Sequence, residues 1–408
     1  MIRLGTLRYD ITPPSGYPLC GGNNPPLKEV RDRLYGLGLL LDDGEKRLLL
    51  CSLELTSLSG VPHEELRAAL AAGAETTPDL VSVHCMHQHD APRVSDEKLT
   101  GNANSSHREW WPRVVRGLQT AAERAQGALR PVQAVGVGEA RVFHCASNRR
   151  LVDADGTVWE TRWSRGNSAG VQAWPAGKID PFLRTVTFWG EDDNDLLASM
   201  IYYNSHPQTA DGRGIASADA PGEALRLLSE RYPASHHVYF SGCVGDVTFG
   251  KYTSLDAEAN IRLFGARLAD GALQAIAQSR ASRVAAIDFN WTTTEWLVPW
   301  RERTAANTDT AGPDYGDLVQ DRPARLALLE MGGARVLHGM GELFVEYQLA
   351  AQALRPDEFV AFAGLGDPVH TYVPTAEAFA QGGYEVGVTR TTAEAEQRLK
   401  AAITRLLA

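Results

Sequence analysis

The feature that most constrains the fold is a pair of strand-like segments near the middle of the chain, at residues 183–188 and 196–203. The second reads Leu-Leu-Ala-Ser-Met-Ile-Tyr-Tyr, so that apolar side chains stand on both faces of the strand. Strands of this type occur in sheets that are covered on both sides. Helical patterns surround them at 63–72, 107–126, 256–279 and 392–407. Together these segments predict an α/β fold with a mixed β-sheet core flanked by helices.

Composition narrows the classes of function. The 408 residues carry a formal net charge of −10, and no basic stripe offsets it, which argues against nucleic acid as a partner. No apolar run approaches the length needed to cross a bilayer, and the first residues lack the apolar core of a signal peptide. We therefore expect a cytoplasmic protein with no membrane partner, in which the five scattered cysteines are reduced thiols.

A histidine-rich segment follows an apolar run at 80–83. His87 and His89 lie two positions apart, and alternate side chains of a strand point to the same face. If the extended geometry continues past the run, both imidazoles aim at one point, where they suit metal binding or proton transfer. A structural pair of hydrogen-bonded histidines explains the same spacing. Cys85 has no second cysteine nearby and is interpreted as a small buried thiol.

Other polar groups lie at the ends of predicted elements. His206 closely follows the apolar strand at 196–203, at a strand end of the kind where α/β sheets tend to place chemistry. Glu342 opens a helix predicted at 342–354, where a carboxylate in the first turn suits the helix dipole. The polar stretches 151–180 and 303–321 show no clear periodicity, which is typical of substrate-covering loops and also of loops without function.

Eight short motifs occur in the order that is seen in one family. They are Asp10-Ile11-Thr12-Pro13-Pro14, His87-Gln88-His89, Asn148-Arg149, His206-Pro207, Gly245-Asp246-Val247, Gly341-Glu342, Tyr372-Val373-Pro374-Thr375 and Gly383-Tyr384-Glu385. In this series the chain resembles the neutral, non-lysosomal ceramidases and their bacterial relatives from about residue 5 to 390. The resemblance implies a single large catalytic domain of neutral-ceramidase type, spanning residues 1–408.

The resemblance also implies a zinc site. In the family, two histidines, a glutamate and a tyrosine hold one Zn2+, and they correspond here to His87, His206, Glu342 and Tyr372. Two imidazoles and a carboxylate leave a position open for water, as catalytic zinc requires, and zinc lowers the pKa of bound water to about 7.

Further roles follow from the resemblance alone. It implies that His89 is an acid–base group near the departing amine, that Tyr384 is an oxyanion donor, and that Arg149 binds substrate or stabilises the oxyanion. Each residue also has a plainer explanation: His89 as another ligand, Tyr384 as a core aromatic, and Arg149 as a surface ion-pair partner.

Three departures from the family bear on mechanism and substrate. Thr248 stands where relatives carry a serine, and its β-branched hydroxyl is more hindered, which favours attack by water over an acyl-enzyme. Asp90 and Arg93 replace part of a glycine-rich run beside the histidines. The secretion signal and the C-terminal immunoglobulin-like domain of secreted ceramidases are not found. Charged groups at the site mouth, without a membrane-binding helix, predict a small polar substrate rather than a long-chain lipid.

The sequence thus predicts a zinc-dependent hydrolase that cleaves an amide (N-acyl) bond of a small-molecule substrate by metal-activated water. Two alternatives stay open. One is the same zinc site acting on an ester, lactone or sugar derivative, and the other is a non-catalytic zinc-binding protein. The sequence does not predict an oligomeric state.

Overall fold

Two β-sheets packed face to face, with helices outside them, form the core of the chain. The computed structural model describes residues 1–96, 105–192, 194–286, 288–301, 319–366 and 369–408. The helices are α1 (Val61–Gly73), α2 (Ser105–Gly127), α3 (Ala169–Ala173), α4 (Asp219–Arg231), α5 (Ala257–Ala281), α6 (Val345–Leu354), α7 (Ala376–Gln381), α8 (Tyr384–Val388) and α9 (Glu394–Leu407). None of the helices in these ranges is both long and apolar enough to cross a membrane.

The strands occur in runs separated by the helices. They are β1 (Arg3–Asp10), β2 (Glu29–Val30), β3 (Tyr35–Asp42), β4 (Arg47–Leu53), β5 (Ser57–Leu58), β6 (Val81–Cys85), β7 (Arg93–Val94), β8 (Arg130–Pro131), β9 (Ala134–Arg141), β10 (Ser147–Asn148), β11 (Arg150–Val152) and β12 (Val158–Thr161). The second half adds β13 (Phe182–Trp189), β14 (Leu196–Tyr203), β15 (Ile215–Ala216), β16 (His236–Ser241), β17 (Val247–Thr248), β18 (Val284–Ala285), β19 (Asn290–Arg301), β20 (Val319–Met331), β21 (Ala334–Met340), β22 (Glu342–Leu343), β23 (Phe359–Gly366) and β24 (Tyr372–Val373).

Both large sheets are mixed. The first has nine strands in the order β19-β20-β21-β23-β6-β4-β3-β1-β8, and the second has five in the order β16-β14-β13-β9-β18. Strand β6 runs parallel to β4 and antiparallel to β23, and β14 runs parallel to β16. The predicted α/β class, with a mixed sheet flanked by helices, is confirmed.

The layers follow from the alternation of side chains along β4. The hydroxyl of Ser52 donates to the carbonyl oxygen of Tyr239 in the smaller sheet, at 2.7 Å. The next residue, Leu53, points to the opposite face of the sheet, and it pairs with Gly36 of β3. A Cβ on Gly36 would lie 2.6 Å from the side chain of Leu118 in α2, so α2 packs on that face. Helices α1 and α2 therefore cover one face of the nine-stranded sheet, and the smaller sheet covers the other. Strand β14 is buried throughout, as the apolar run predicted.

Two sequence predictions need correction, and a third falls largely outside the described residues. Residues 151–180 are not irregular throughout, because the ribbon of β11 and β12 and the helix α3 lie within them. Glu342 does not open a helix: it belongs to the two-residue strand β22, and α6 begins at Val345. The stretch 303–321 lies largely outside the described residues, since 302–318 fall in one of the gaps.

Candidate metal centre and active site

His87 reaches the site through a turn and not through an extended strand. Strand β6 ends at Cys85, and His87 has a φ of 78°, in the left-handed region that side chains seldom occupy. The premise that extended geometry continues through His87 and His89 is therefore wrong. Their imidazoles converge nevertheless, with ring centroids 5.3 Å apart. A strained backbone held in this way is a common property of functional sites.

His206 and Glu342 come to the same place from different strand ends. His206 follows β14, and its amide donates to the carbonyl oxygen of Val247 at 2.9 Å. Glu342 pairs in parallel with Tyr372 through the short strands β22 and β24. Strands β6, β14 and β21 end shortly before His87, His206 and Glu342, so the side chains of the site follow strand ends.

The convergence is close. Nε2 of His206 lies 3.0 Å from Oε2 of Glu342, and Nε2 of His87 lies 3.4 Å from the same oxygen. His87, His89 and His206 each present a ring nitrogen within 4.8 Å of the others, a grouping that suits a metal ion. The ring of Tyr372 stacks near that of His206, with centroids 6.4 Å apart.

Backbone carbonyls fix the orientation of two of these rings. Nδ1 of His87 lies 2.6 Å from the carbonyl oxygen of Thr56, and Nδ1 of His206 lies 2.6 Å from that of Val244. A carbonyl oxygen only accepts, so both Nδ1 atoms must carry the proton and donate. In a neutral imidazole with its proton on Nδ1, Nε2 carries the lone pair, and both Nε2 atoms face Glu342. Outer hydrogen bonds of this type orient metal-ligating histidines in many proteins.

This arrangement fits a bound cation. Burial is the main cause that lowers the pKa of His206 to about 4, so the ring is neutral at pH 7. Its Nε2 lone pair therefore faces the carboxylate oxygen of Glu342. Nε2 of His87 is also buried and has no hydrogen-bond partner among the described residues. Electron pairs that crowd around one point are costly unless a positive centre lies among them. The chemistry of the donor set, two imidazoles, a carboxylate and a phenol, is suited to zinc.

The structure adds a histidine that the sequence interpretation missed. Nε2 of His370 lies 3.3 Å from Oε1 of Glu342, the oxygen that does not face His206. His87, Glu342 and His370 form a second grouping with ligand atoms within 4.8 Å of one another. The available signal was the spacing of His370 and Tyr372, two positions apart before and within β24, which resembles that of His87 and His89.

Arg149 is held between the two tyrosines. Its guanidinium carbon lies 5.2 Å from the ring centroid of Tyr372 and 5.4 Å from that of Tyr384. Its Nε donates to Glu385 at 2.6 Å, and Arg150 donates to the other carboxylate oxygen at 2.8 Å. Nη2 of Arg149 is buried and has no hydrogen-bond partner among the described residues. Arg149 is therefore not a surface ion-pair partner, because it is only 4% exposed.

His89 and Tyr384 lie at the accessible side of the cluster. Burial, followed by the charges of His87 and His206, lowers the pKa of His89 well below its ordinary value. Burial raises the pKa of Tyr384, and the nearby carboxylate of Glu342 adds to that effect. At neutral pH, His89 is thus a free base and Tyr384 a protonated phenol. Tyr384 is 39% exposed, and its ring contacts Trp163 with centroids 5.1 Å apart.

Thr248 is adjacent to the site, but its hydroxyl is engaged elsewhere. The backbone of Thr248 forms an isolated parallel β-bridge with that of His206. Its Oγ1 lies 3.3 Å from Oγ of Ser164 and accepts from the amide of Gly250 at 3.3 Å. The side chain is 1% exposed. The structure therefore brings together His87, His89, His206, Glu342, Tyr372, Arg149 and Tyr384, with Thr248 beside them.

Asp90 is not a charged group at the site mouth, as the sequence interpretation assumed. It is 1% exposed and pairs with Arg213, whose Nη2 lies 3.1 Å from Oδ2. This partner is remote in sequence and gave no local signal. Arg93, in contrast, lines a cavity together with Glu342, His370 and Tyr372.

Gly245 and Asp246 hold the site together from behind. The amide of Gly245 donates to the carbonyl oxygen of Leu343 at 2.7 Å, and a Cβ on Gly245 would lie 2.4 Å from the carbonyl oxygen of Glu342. Asp246 accepts from the side chain of Asn148 at 2.6 Å and from the amide of Val345 at 2.9 Å. The Gly-Asp motif thus ties the strand of Glu342 to the segment of Arg149.

Comparisons with known proteins agree with this geometry at the level of fold. No protein-family model matches the chain, and no curated protein matches it. Two solved structures are similar over 100% of this chain and 74% of their own length, each at 15% identity. One is a neutral ceramidase from Pseudomonas aeruginosa, with a TM-score of 0.76, and the other is a ceramidase in complex with C2, with a TM-score of 0.75. The chain has the ceramidase fold, as the motif resemblance predicted.

Proposed function

We propose that this chain is a zinc-dependent hydrolase that cleaves an amide (N-acyl) bond of a small, polar substrate. The observation that carries the proposal is the convergence of His87, His206 and Glu342, with both imidazoles oriented by backbone carbonyls. The ceramidase fold supports amide hydrolysis as the reaction class.

His87, His206, Glu342 and Tyr372 would hold the zinc. When bound, zinc supplies a Lewis acid that polarises a carbonyl and makes water a nucleophile near neutral pH. The second group of possible ligands, His87, Glu342 and His370, shares His87 with the first group. In this assignment His370 fixes the second oxygen of Glu342 and is not one of the four ligands, a role that histidines and carboxylates around metal ligands often have.

Arg149 and Tyr384 would stabilise negative charge on the carbonyl oxygen of the substrate. The unpartnered Nη2 of Arg149 is an available donor, and Glu385 holds the guanidinium in place. Donors that are fixed in advance contribute most when they face charge that develops in the transition state. The phenol of Tyr384 is protonated at neutral pH and offers a second donor at the exposed side of the site.

His89 would carry the proton to the departing amine. Its depressed pKa leaves the ring unprotonated at pH 7, so that it can accept a proton and then donate it to the leaving nitrogen. An ester leaves as an alcohol and depends less on such protonation. Loss of His89 should therefore reduce amide cleavage more strongly than ester cleavage.

A substrate comparison at equal zinc occupancy tests the proposal. We expect turnover of short, water-soluble N-acyl amides and little turnover of long-chain ceramide in mixed micelles. His206→Ala, which lacks a proposed zinc ligand, is the separate zinc-depleted control and should be inactive. A kcat/KM for long-chain ceramide at least tenfold higher than that for the short amides would overturn the polar-substrate assignment. Equal loss of amide and ester cleavage in His89→Ala would overturn the acid–base role.

A further inference from the structure

A cavity of about 520 Å³ opens beside the candidate metal-binding residues, and its lining includes Glu342, His370, Tyr372 and Tyr384. This volume is sufficient for a small metabolite-sized ligand. The lining also includes the arginines Arg93, Arg322 and Arg390 and the serines Ser57, Ser59 and Ser95. The lining is thus polar and positively charged where a pocket for an alkyl chain would be apolar.

Among the described residues, the two carboxylates of the lining form no ion pair with Arg93 or Arg390. They are Glu342, which three imidazoles already surround, and Asp96, whose Oδ1 accepts from the amide of Val61 at the start of α1. Neither Arg93 nor Arg390 forms an ion pair with a carboxylate among the described residues. A guanidinium that is partly withdrawn from water with no anionic partner is costly, so it favours an anionic ligand.

Arg93 is the best placed of the three. It lies on β7, which pairs in parallel with β5 so that Arg93 is opposite Ser57. Its Nε is buried and has no hydrogen-bond partner among the described residues. Arg93 lines the same cavity as Glu342, His370 and Tyr372. A ligand in this cavity would therefore be close to both Arg93 and the proposed metal ligands.

Arg390 also lines the cavity, and its surroundings restrict it. Its guanidinium carbon lies 5.7 Å from the ring centroid of Trp300, and that of Arg322 lies 4.4 Å from the same centroid. The amide of Arg390 donates to Oγ1 of Thr371 at 2.9 Å, next to His370 and Tyr372. The aromatic ring and this hydrogen bond restrict Arg390, which lowers the entropy cost of binding an anion.

We propose that the cavity binds an oxyanion on the substrate, a carboxylate or a phosphate, through Arg93 and Arg390. The inference rests on the proposed amide hydrolysis and specifies its substrate class: an N-acyl compound that carries a negative charge a few bonds from the scissile amide. Arginine is suited to this role because its planar group binds both oxygens of an oxyanion at once.

Matched pairs of substrates test the inference on the zinc-loaded protein. The pairs are N-acetyl-β-alanine and N-acetyl-β-alaninamide, N-methylsuccinamate and its diamide, and N-acetylphosphoethanolamine and N-acetylethanolamine. They place a carboxylate on the amine side, a carboxylate on the acyl side and a phosphate on the amine side. We expect kcat/KM for the charged member to be at least tenfold higher in one pair or more.

Arginine variants identify the residues responsible. Arg93→Gln and Arg390→Gln should each reduce the charged-to-neutral ratio at least tenfold, Arg93→Lys should restore part of it, and Arg116→Gln, an exposed change on α2, should leave it unchanged. Equal turnover of charged and neutral members, or a ratio that survives both glutamine variants, would overturn the inference.

A binding measurement separates this inference from the proposed function. Calorimetric titration of the metal-free protein with N-acetyl-β-alanine and with its amide reports on the arginines alone, since no zinc is present to bind the carboxylate. Selective binding of the acid, lost in Arg93→Gln, supports the oxyanion site even if no amide is hydrolysed. Binding of none of the charged compounds of the three pairs, each titrated in the same way, together with hydrolysis of neutral amides, rejects the oxyanion site and leaves amide hydrolysis standing.

Discussion

Glu342 and Tyr372 are opposite each other across the parallel pair of two-residue strands β22 and β24. The amide of Glu342 donates to the carbonyl oxygen of Thr371 at 2.9 Å. A Cβ on the preceding Gly341 would lie 2.4 Å from that same oxygen, which explains why glycine occupies the position at a φ of 62°. This short backbone pairing sets the separation between a carboxylate and a phenol that lie far apart in sequence.

The metal assignment predicts different results for the two histidines of the H-x-H motif. His87→Ala should remove zinc, because the buried Nε2 of His87 is a proposed ligand. His89→Ala should keep close to one equivalent per chain and lose amide turnover. Elemental analysis after zinc reconstitution and desalting measures both. Equal loss of metal in the two variants contradicts the assignment of His89 outside the ligand set.

The position of His370 predicts a change in affinity without a change in stoichiometry. His370→Ala frees Oε1 of Glu342, so we expect zinc affinity to fall about 10–100-fold, the range seen when groups that orient metal ligands are removed. Saturating zinc should still give one equivalent. Competition with a chelator measures the affinity, with His144→Ala, an exposed histidine, as the control. An unchanged affinity rejects the orienting role.

The engagement of the Thr248 hydroxyl with Ser164 and Gly250 predicts that it is dispensable for chemistry. Thr248→Ala should retain measurable turnover, and Thr248→Ser should behave like the unmodified protein. Mass spectrometry of the reacting enzyme should show no covalent adduct. Complete loss of turnover with zinc intact, or an acyl group trapped on Thr248, would establish a nucleophilic role and contradict the water mechanism.

Glu385 is fully buried and accepts hydrogen bonds from both Arg149 and Arg150. Glu385→Ala leaves these two buried guanidinium groups without their carboxylate, which should lower the free energy of unfolding by about 3–5 kcal/mol. Chemical denaturation measures the loss. Glu377→Ala on α7 is the control, since that carboxylate is exposed and should cost less than about 0.5 kcal/mol. Equal effects would reject the buried ion-pair account.

Glu54 predicts a pH dependence of stability that is separate from the metal site. Burial is the main cause that raises its pKa to about 8 in the folded protein, from 4.5. The folded state therefore binds more protons between these values, and the stabilising contribution present below pH 4.5 is lost as the pH rises through about 8. Glu54→Gln removes this loss. The free energy of unfolding of Glu54→Gln relative to the unmodified protein should thus increase with pH.

The slope of that increase should approach about 1.4 kcal/mol per pH unit within the window, the value for one proton. Urea titrations at several pH values between 5 and about 8.5 measure it. Glu65→Gln, an exposed glutamate on α1, should show no trend with pH. A flat difference for Glu54→Gln would mean that the carboxyl is ionised in the folded protein.

The sequence by itself was sufficient to predict the fold class and most of the residues that converge at the candidate site. Strand β14 was predictable because its apolar residues occupy both faces, and this pattern requires cover on both sides. The motifs containing His87, His206, Glu342 and Tyr372 were sufficient to predict a ligand set, since their residue types and order resemble a zinc-hydrolase family.

Only the tertiary structure decided which polar side chains face the candidate site. Asp90 and Arg93 look equivalent in sequence, yet Asp90 is buried against Arg213 while Arg93 faces the cavity. His370 had no motif of its own and joins the cluster because β24 pairs with β22. Ion pairs and sheet pairings of this kind connect residues that are far apart in the chain, so local sequence patterns carry no information about them. For this reason the sequence was sufficient to predict the residue types of the site. The tertiary structure determined which charged side chains are paired with each other and which face the cavity.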